Sequence, residues 1–338
     1  MPFILQVNLA MDLKINKLHG VGLITLLLLP FLSSAQSKNK KAAGPLTKDA
    51  IERLHTGEDT LAILAFAVVN DSLESNRFGA CHALITCLVR TLKTENSFNY
   101  PFERLKSMSI LAPPDSSFRI FTWQLFVNDS TYRYYGAIQM NHKELELYPL
   151  IDRSFEFETP PPFTDRLSAE KWYGALYYNL RQFDTREGHK YLLFGFDAIS
   201  FFERRKVVEV LSFDAAGKPI FGAEVFSGLP GRERGPQVSR LIFDYAADAS
   251  VRVNWDDQYQ MVLFDHLVPM ASPYGRGMAY VPDGSYDGLK LDKSGRWVWV
   301  DKVFNDVMDE VPRPEPILDD RKSKDILGKD KKAKGNRP

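Results

Sequence analysis

The stretch Arg119-Ile-Phe-Thr-Trp-Gln-Leu-Phe-Val127 decides the fold. Phe121, Trp123 and Leu125 stand at every second position, and polar residues fill most of the positions between them. Because alternate side chains of a strand point to opposite faces, this run predicts a half-buried β-strand. Residues 251–255 repeat the alternation. Residues 297–300 are apolar at all four positions, which predicts a strand covered on both faces.

Turn sequences lie between the β-rich runs. They are Asn128-Asp129-Ser130, Arg186-Glu187-Gly188, Asp214-Ala215-Ala216-Gly217, Asp256-Asp257 and Lys293-Ser294-Gly295. Short strands joined by such turns, without helical patterns between them, indicate hairpins. We therefore predict a mainly β fold over residues 108–311, an antiparallel meander that forms a sandwich or a barrel. A propeller is the second choice, because no clean internal repeat is visible.

Residues 47–107 predict a small N-terminal helical cap on the β domain. Thr47 can cap a short helix that ends near Gly57, and a second helix can open at about Asp59. A third, over residues 75–93, is amphipathic. Its predicted buried face consists of Phe78, Cys81, Ile85, Leu88 and Leu92.

Cys81 and Cys87 are the two cysteines of the chain. If both lie on the third helix, the rise of 1.5 Å per residue separates their Cα atoms by about 9 Å, beyond the reach of a disulfide. We therefore predict two buried, free thiols.

Residues 1–35 have the order of a secretory signal. A basic segment precedes an apolar run over residues 21–32, and Ser33-Ser34-Ala35 supplies the small residues that a signal peptidase accepts. The run is too short to span a hydrocarbon core of about 30 Å, and no later segment predicts a transmembrane helix. We predict cleavage after Ala35, a flexible lead-in over residues 36–46, and export to the periplasm or the extracellular space.

The charge pattern limits the possible partners. The chain has 43 Lys and Arg residues against 43 Asp and Glu residues, and this balance is not that of a dedicated nucleic-acid binder. Residues 312–338 open with alternating prolines and continue as a charged segment that is free of aromatic residues. This composition predicts a disordered, solvated tail.

The segment Asp283-Gly-Ser-Tyr-Asp-Gly288 matches the first half of a calcium loop. Asp283, Ser285 and Asp287 supply oxygen side chains at alternate positions, which converge on one cation in such loops. Ser294 stands where a bidentate Glu belongs, so the predicted calcium site is weak. The alternative is a polar turn between strands, where the same residue types are common. The sequence predicts no other cofactor.

Asp265-His266 is the candidate acid–base pair, because histidine titrates near neutral pH. No GxSxG or HExxH motif accompanies it, which favours a structural histidine. His55, His142 and His189 are more isolated. Several aromatic residues could stack on a sugar or peptide, or form core pairs instead. They are Trp123, Tyr132, Tyr134, Tyr135, Trp172, Tyr177 and Tyr178.

Three stretches carry a resemblance: Phe118-Arg-Ile-Phe-Thr-Trp123, Tyr173-Gly-Ala-Leu-Tyr-Tyr178 and Tyr280-Val-Pro-Asp-Gly-Ser-Tyr286. In this order, behind a signal that ends in Ser-Ser-Ala-Gln, the chain resembles an exported protein family of Bacteroidota over residues 75–305. The resemblance implies a compartment and transfers no activity and no catalytic residue.

We expect an exported envelope or secreted protein that serves as a binding or scaffold module for an envelope or extracellular partner. The alternative is a hydrolase of envelope or extracellular polymers whose site is assembled from separate loops. A His–acid pair in a cleft would favour the hydrolase, and an exposed aromatic surface would favour binding.

Mass spectrometry of the envelope fraction should find a mature N-terminus at Gln36, because the signal ends at Ala35. Cytosolic chain that still begins at Met1 or Met11 would contradict export.

Overall fold

The computed structural model describes residues 40–128, 131–157, 163–230, 238–271 and 277–304. The predicted signal, most of the lead-in and the charged tail lie outside these ranges. Within them, no helix combines the length and the apolar character that crossing a membrane requires.

Two α-helices open the described chain, α1 over Lys48–Asn70 and α2 over Glu74–Leu92. Thr47 is the N-cap of α1 as predicted, since its Oγ1 accepts a hydrogen bond of 3.2 Å from the backbone N–H of Ala50. The prediction of two short helices in this region is wrong, because α1 continues without interruption past Gly57.

Gly57 has a packing role. A Cβ atom at this position would lie 2.5 Å from Oγ1 of Thr91 on α2. The glycine therefore permits the two helices to approach closely, and neighbouring α2 compensates for its low helix propensity.

The buried face of α2 is partly as predicted. Cys81 and Cys87 are buried and free, and Leu88 and Leu92 are buried beside them. The other two predicted positions are exposed instead, Phe78 at 36% and Ile85 at 37%. Leu84 also belongs to the buried set, because α2 packs against α1 and the first sheet together and its buried face is centred between them.

The described residues form fifteen strands and three short 3₁₀-helices. The strands are β1 Ser109–Leu111, β2 Phe118–Asn128, β3 Thr131–Met140, β4 Leu147–Ile151, β5 Leu167–Ser168, β6 Leu176–Thr185, β7 Gly188–Asp197, β8 Glu203–Phe213, β9 Pro219–Phe221, β10 Phe226–Ser227, β11 Arg240–Ala246, β12 Val253–Asp256, β13 Met261–Ala271, β14 Met278–Leu291 and β15 Trp297–Val300. The 3₁₀-helices are Ser97–Asn99, Ser154–Glu156 and Ala169–Lys171.

These strands form three sheets. The first has the order β1-β2-β3-β4, the second β5-β9-β8-β7-β6 with β11 also paired to β8, and the third β10-β15-β14-β13-β12. Strand pairing is antiparallel except between β10 and β15. The predicted mainly β, antiparallel fold with an N-terminal helical cap is confirmed, and no sheet of the described chain closes into a barrel.

All five predicted turns join strands that pair with each other. The pairs are β2 with β3, β6 with β7, β8 with β9, β12 with β13, and β14 with β15. Residues 129–130 of the first turn lie outside the described residues.

The helices and the sheets are stacked in layers. One face of β2 packs on the helices through Phe121, Trp123 and Leu125. Its other face packs on the second sheet, with Phe118 and Ile120 against Tyr191 and Leu193. The opposite face of the second sheet meets the third sheet, with Leu192 and Phe194 near Val262 and Phe264. β2 is therefore buried on both faces over most of its length, where a half-buried strand was predicted.

A charged pair is buried within the second sheet. Glu209 of β8 and Arg240 of β11 are directly opposite each other, both fully buried, with 3.2 Å between Nε of Arg240 and Oε2 of Glu209. The hydroxyl of Tyr177 donates to Oε1 of Glu209, and Nε1 of Trp172 donates to that hydroxyl at 2.8 Å. The charges and polar atoms are thus mutually satisfied, as burial requires.

The two helical glycines provide a matched test of helix packing. Gly79→Ala should raise the free energy of unfolding by about 1 kcal/mol, because an added Cβ meets no atom within 4 Å and alanine has the better helix propensity. Gly57→Ala should lower the free energy of unfolding, because the clash of the added Cβ with Thr91 outweighs the gain in helix propensity. Urea unfolding of both variants measures the difference. Equal gains would refute the close approach at Gly57.

Candidate functional site

A cavity of about 450 Å³ opens beside α2, β3 and β4. Its walls are mainly apolar and aromatic, and they include Ile85, Leu88, Trp123, Tyr132, Tyr135 and Ile151. Small residues leave this space open. Ala137 of β3 pairs with Pro149 of β4, between the larger pairs Tyr135–Ile151 and Gln139–Leu147.

The aromatic wall of this cavity is rigid. Trp123 of β2 stacks on Tyr135 of β3 with 5.8 Å between ring centroids and an interplanar angle of 12°. The two residues are register partners on neighbouring strands, where aromatic pairs stabilise a sheet. Burial raises the pKa of Tyr135 to about 12, so its hydroxyl remains neutral at physiological pH.

The rim of the cavity carries an aromatic ring and a cation. Phe155 is 66% exposed, and the guanidinium of Arg133 lies 5.8 Å from its ring centroid. Arg153 is occupied by Glu156 at 2.9 Å. Arg133, by contrast, makes no ion pair or hydrogen bond with any residue that the structure describes. The guanidinium of Arg133 can therefore bind an anionic group of a ligand.

The acidic residue in the cavity wall, Asp152, is fully engaged. Its Oδ2 accepts a hydrogen bond of 3.0 Å from the backbone N–H of Tyr134, and its Oδ1 accepts from the N–H and the hydroxyl of Ser154 at 2.9 and 2.7 Å. Both carboxylate oxygens of Asp152 therefore hold β3 and the chain after β4 in place.

Behind the wall lies a buried polar cluster around Asp197. The hydroxyl of Tyr173 donates to Oδ2 of Asp197 at 3.0 Å, and Arg205 donates to that hydroxyl and to Asp244. Burial raises the pKa of Asp197 to about 6, although the charge of Arg205 opposes the shift. Asp197 is thus a carboxyl group whose ionisation in the folded state is costly.

The predicted half calcium loop is a bulge inside β14. Asp265 of β13 pairs with Tyr286, but Leu267 pairs with Pro282. Three residues of β14, 283–285, therefore stand opposite His266 alone. Gly284 has φ of 91°, a conformation that glycine adopts readily. The polar stretch marks an irregularity within a strand and lies outside the turns that join strands.

The three predicted ligands have different partners. Asp283 Oδ1 accepts from the N–H and the hydroxyl of Ser285 at 2.9 and 2.7 Å, in an exposed loop. Asp287 is 2% exposed, and its Oδ2 lies 2.8 Å from Nδ1 of His266. A calcium ion bound by Asp283, Ser285 and Asp287 together stays a prediction. The structure instead groups Asp287 with His266 and Asp301.

His266 therefore has an acidic partner other than its sequence neighbour. The hydrogen bond with Asp287 raises the pKa of His266 above its ordinary value, and partial burial opposes this shift. Asp265 instead accepts a hydrogen bond from the backbone N–H of Arg252. His266 and Asp287 border a cavity of about 360 Å³. No serine, threonine, cysteine or lysine is among the described residues that line it.

The other three histidines of the sequence prediction each lie near one carboxylate. His55 lies 3.5 Å from Asp59, His142 2.5 Å from Glu146 and His189 2.5 Å from Asp184. Four of the seven candidate aromatic residues line the first cavity, namely Trp123, Tyr132, Tyr134 and Tyr135. Trp172 and Tyr177 are buried between sheets, and Tyr178 packs against the core of the second and third sheets.

Local sequence patterns did not identify two residues of these sites. Arg133 carries no local signal beyond its position among aromatic residues in a predicted strand. Asp301 directly follows the predicted strand at residues 297–300, and strand ends are common positions for functional side chains. Its nearness to His266 depends on how β13, β14 and β15 pair.

The raised pKa of Asp197 predicts a pH-dependent stability. In the unfolded chain this group ionises near pH 3.9, so the folded state retains its proton between about pH 4 and 6. The contribution of Asp197 to the free energy of unfolding then falls as pH rises through this window, by about 3 kcal/mol in total. Asp197→Asn should lose this dependence and Asp248→Asn, on the surface, should keep it. Urea unfolding from pH 4 to 7 tests this, and parallel curves for wild type and Asp197→Asn would refute it.

Sequence comparison found no relative from which the role of either site could be transferred. No protein-family model matches the chain, and no curated protein matches it. The roles of the aromatic cavity and of the His266 cluster therefore follow from their own geometry.

Proposed function

We propose that the protein is an exported binding protein whose aromatic cavity takes a small amphiphile, with an apolar or aromatic body and an anionic head. One observation carries the proposal: a cavity of about 450 Å³ with Trp, Tyr and aliphatic walls that the protein's own side chains leave open. Cavities of roughly 300–1,000 Å³ with apolar walls and few polar groups are typical of small-molecule sites.

The apolar part of the ligand is favoured by the walls. Phe155 at 66% and Ile151 at 41% are exposed at the cavity, although both are large apolar residues. A ligand that covers them removes their apolar surface from water, which is the main source of affinity in such sites. The Trp123–Tyr135 stack is already rigid, so its contact with a ligand costs little conformational entropy.

The anionic head is favoured by the charges of the rim. Arg133 has no carboxylate partner among the described residues, whereas Asp152 is saturated by three donors from Tyr134 and Ser154. Asp152 keeps its negative charge, but its oxygens are engaged, and Arg133 is the rim cation without an ion pair among the described residues. A guanidinium beside an exposed ring can bind a carboxylate, sulfonate or phosphate through two hydrogen bonds.

Export is part of the proposal. It rests on the signal-like order of residues 1–35 and on the resemblance to an exported family of Bacteroidota. A carrier or sensor of an amphiphile suits the periplasm or the cell exterior, and this role places the protein among binding modules.

The second candidate function is a hydrolase of envelope or extracellular polymers. The observation that favours it is His266, hydrogen-bonded to Asp287 at the edge of the second cavity, in the arrangement of an oriented general base. The described lining has no serine, threonine, cysteine or lysine, so the nucleophile of such an enzyme would be water or one of the lining carboxylates, Asp265 and Asp287.

The binding proposal is tested with two fluorescent probes that differ in charge. Anilinonaphthalene sulfonate should bind the folded protein at one site and change the tryptophan emission of the protein. Arg133→Gln should weaken this binding about tenfold, the effect of one charge-assisted contact of about 1.4 kcal/mol. N-phenylnaphthylamine, which lacks the sulfonate, should bind Arg133→Gln and wild type equally. Ile151→Trp, which fills the cavity, should abolish binding of both probes.

The controls are Arg186→Gln in the β6–β7 turn and Phe201→Ala, which removes a ring that is 59% exposed away from the cavity. Both should bind the probes as wild type does. Near-UV circular dichroism confirms that each variant is folded, because partly unfolded proteins also bind the sulfonate probe. Unchanged binding in Ile151→Trp would place the ligand elsewhere and refute the proposal.

A further inference from the structure

The third sheet brings together three metal-binding side chains that no sequence motif joins. His266, Asp287 and Asp301 each offer one ligand atom, and these atoms lie within 4.8 Å of one another. His266 is on β13, Asp287 is on β14, and Asp301 follows the last residue of β15. β15, β14 and β13 are neighbours in the sheet, and Asp287 pairs with Phe264, two residues before His266. The sheet therefore brings the three residues near one another.

Asp287 and Asp301 lie close together at the end of the β14–β15 ladder. Gly288 pairs with Val300, the last residue of β15, and Asp287 and Asp301 are the neighbours of this pair. The backbone N–H of Lys302 donates to Asp287 Oδ1 at 3.0 Å, which holds the chain after β15 against β14. Two carboxylates this close repel each other when both are ionised. A cation between the two carboxylates would reverse this effect.

Asp287 is a buried acid without a lysine or arginine partner. It is 2% exposed, and within the described ranges its one side-chain ion pair is with His266, at 2.8 Å. A buried carboxylate is costly unless a cation and hydrogen bonds compensate for the lost water. The backbone bond from Lys302 supplies part of this compensation, and a metal ion would supply the charge.

The ligand types select the class of metal. Imidazole nitrogen and carboxylate oxygens bind Zn²⁺ at about 2.0–2.2 Å, so ligand atoms around one ion are roughly 3.5 Å apart. Nδ1 of His266 and Oδ2 of Asp287 are now 2.8 Å apart, at hydrogen-bond distance, so these two side chains would separate by several tenths of an ångström to share an ion. Asp301 is exposed and able to adjust. Ca²⁺ and Mg²⁺ prefer oxygen ligands throughout, whereas imidazole suits the transition metals.

We propose that His266, Asp287 and Asp301 bind one divalent transition-metal ion, with Zn²⁺ as its representative. Three protein ligands leave a coordination position for water or a small ligand, as in catalytic rather than structural zinc sites. The cavity of about 360 Å³ that His266 and Asp287 border lies next to this position. The site is distinct from the aromatic cavity and does not depend on its function.

The test is calorimetric titration of chelator-treated, full-length mature protein with ZnCl₂. Wild type should bind one Zn²⁺. Asp301→Asn and His266→Gln should each weaken that binding at least about tenfold. Loss of an outer-shell partner already lowers metal affinity by about that factor, and loss of a direct ligand should lower it at least as much. Asp301 is exposed, so its variant tests the site without disturbing the core. Zn²⁺ should also raise the melting temperature of wild type, and Ca²⁺ should not.

His189→Gln is the matched control. His189 lies 2.5 Å from Asp184 in an exposed pair that belongs to no three-residue cluster among the described residues. Its replacement should leave zinc affinity unchanged. The proposal is overturned if wild type gives no zinc-binding heat, if Asp301→Asn binds as tightly as wild type, or if Ca²⁺ raises the melting temperature and Zn²⁺ does not.

Discussion

Burial of the second sheet on both faces is the constraint on which the other layers depend. Residues 191 and 193 of β7 face the first sheet, and residues 192 and 194 face the third. A slip of one residue in register would exchange these two faces, so neighbouring strands hold a single alignment. The ion pair of Glu209 and Arg240 also fixes the alignment of β8 with β11, because each is a buried charge whose partner stands directly opposite on the neighbouring strand.

The two sites lie where strands leave this stacked interior. The aromatic cavity forms between α2 and the strands β3 and β4, where small residues leave space. The His266 cluster forms where β13 and β14 continue as a hairpin beyond their pairing with β12 and β15. Both positions combine a rigid base, supplied by the core, with an open side. Such a combination suits ligand binding, because the protein groups are ordered before the ligand arrives.

The two sites offer different groups to a ligand. At the aromatic cavity, the oxygens of Asp152 are engaged in hydrogen bonds, and Arg133 has no ion pair among the described residues. At the third sheet, Asp287 and Asp301 stand together with one histidine and no lysine or arginine ion pair within the described ranges. The first arrangement supplies a guanidinium donor for the proposed anionic head, and the second supplies ligand atoms for the proposed metal ion.

Local sequence patterns were sufficient to predict the classes of element and most of their order. The alternation in residues 119–127, the five turns and the Thr47 cap depend on neighbours in the chain, which is why local patterns predicted them. The helix end predicted at Gly57 was wrong, because the glycine is required by close packing against Thr91 on the other helix. The sequence also did not show that Asp287, part of the half calcium loop, contacts His266 across the sheet, because that contact depends on strand pairing. Only the tertiary structure decided the stacking of three sheets, the open aromatic cavity and the meeting of His266 with Asp301, because these depend on strand register and on contacts between residues far apart in sequence.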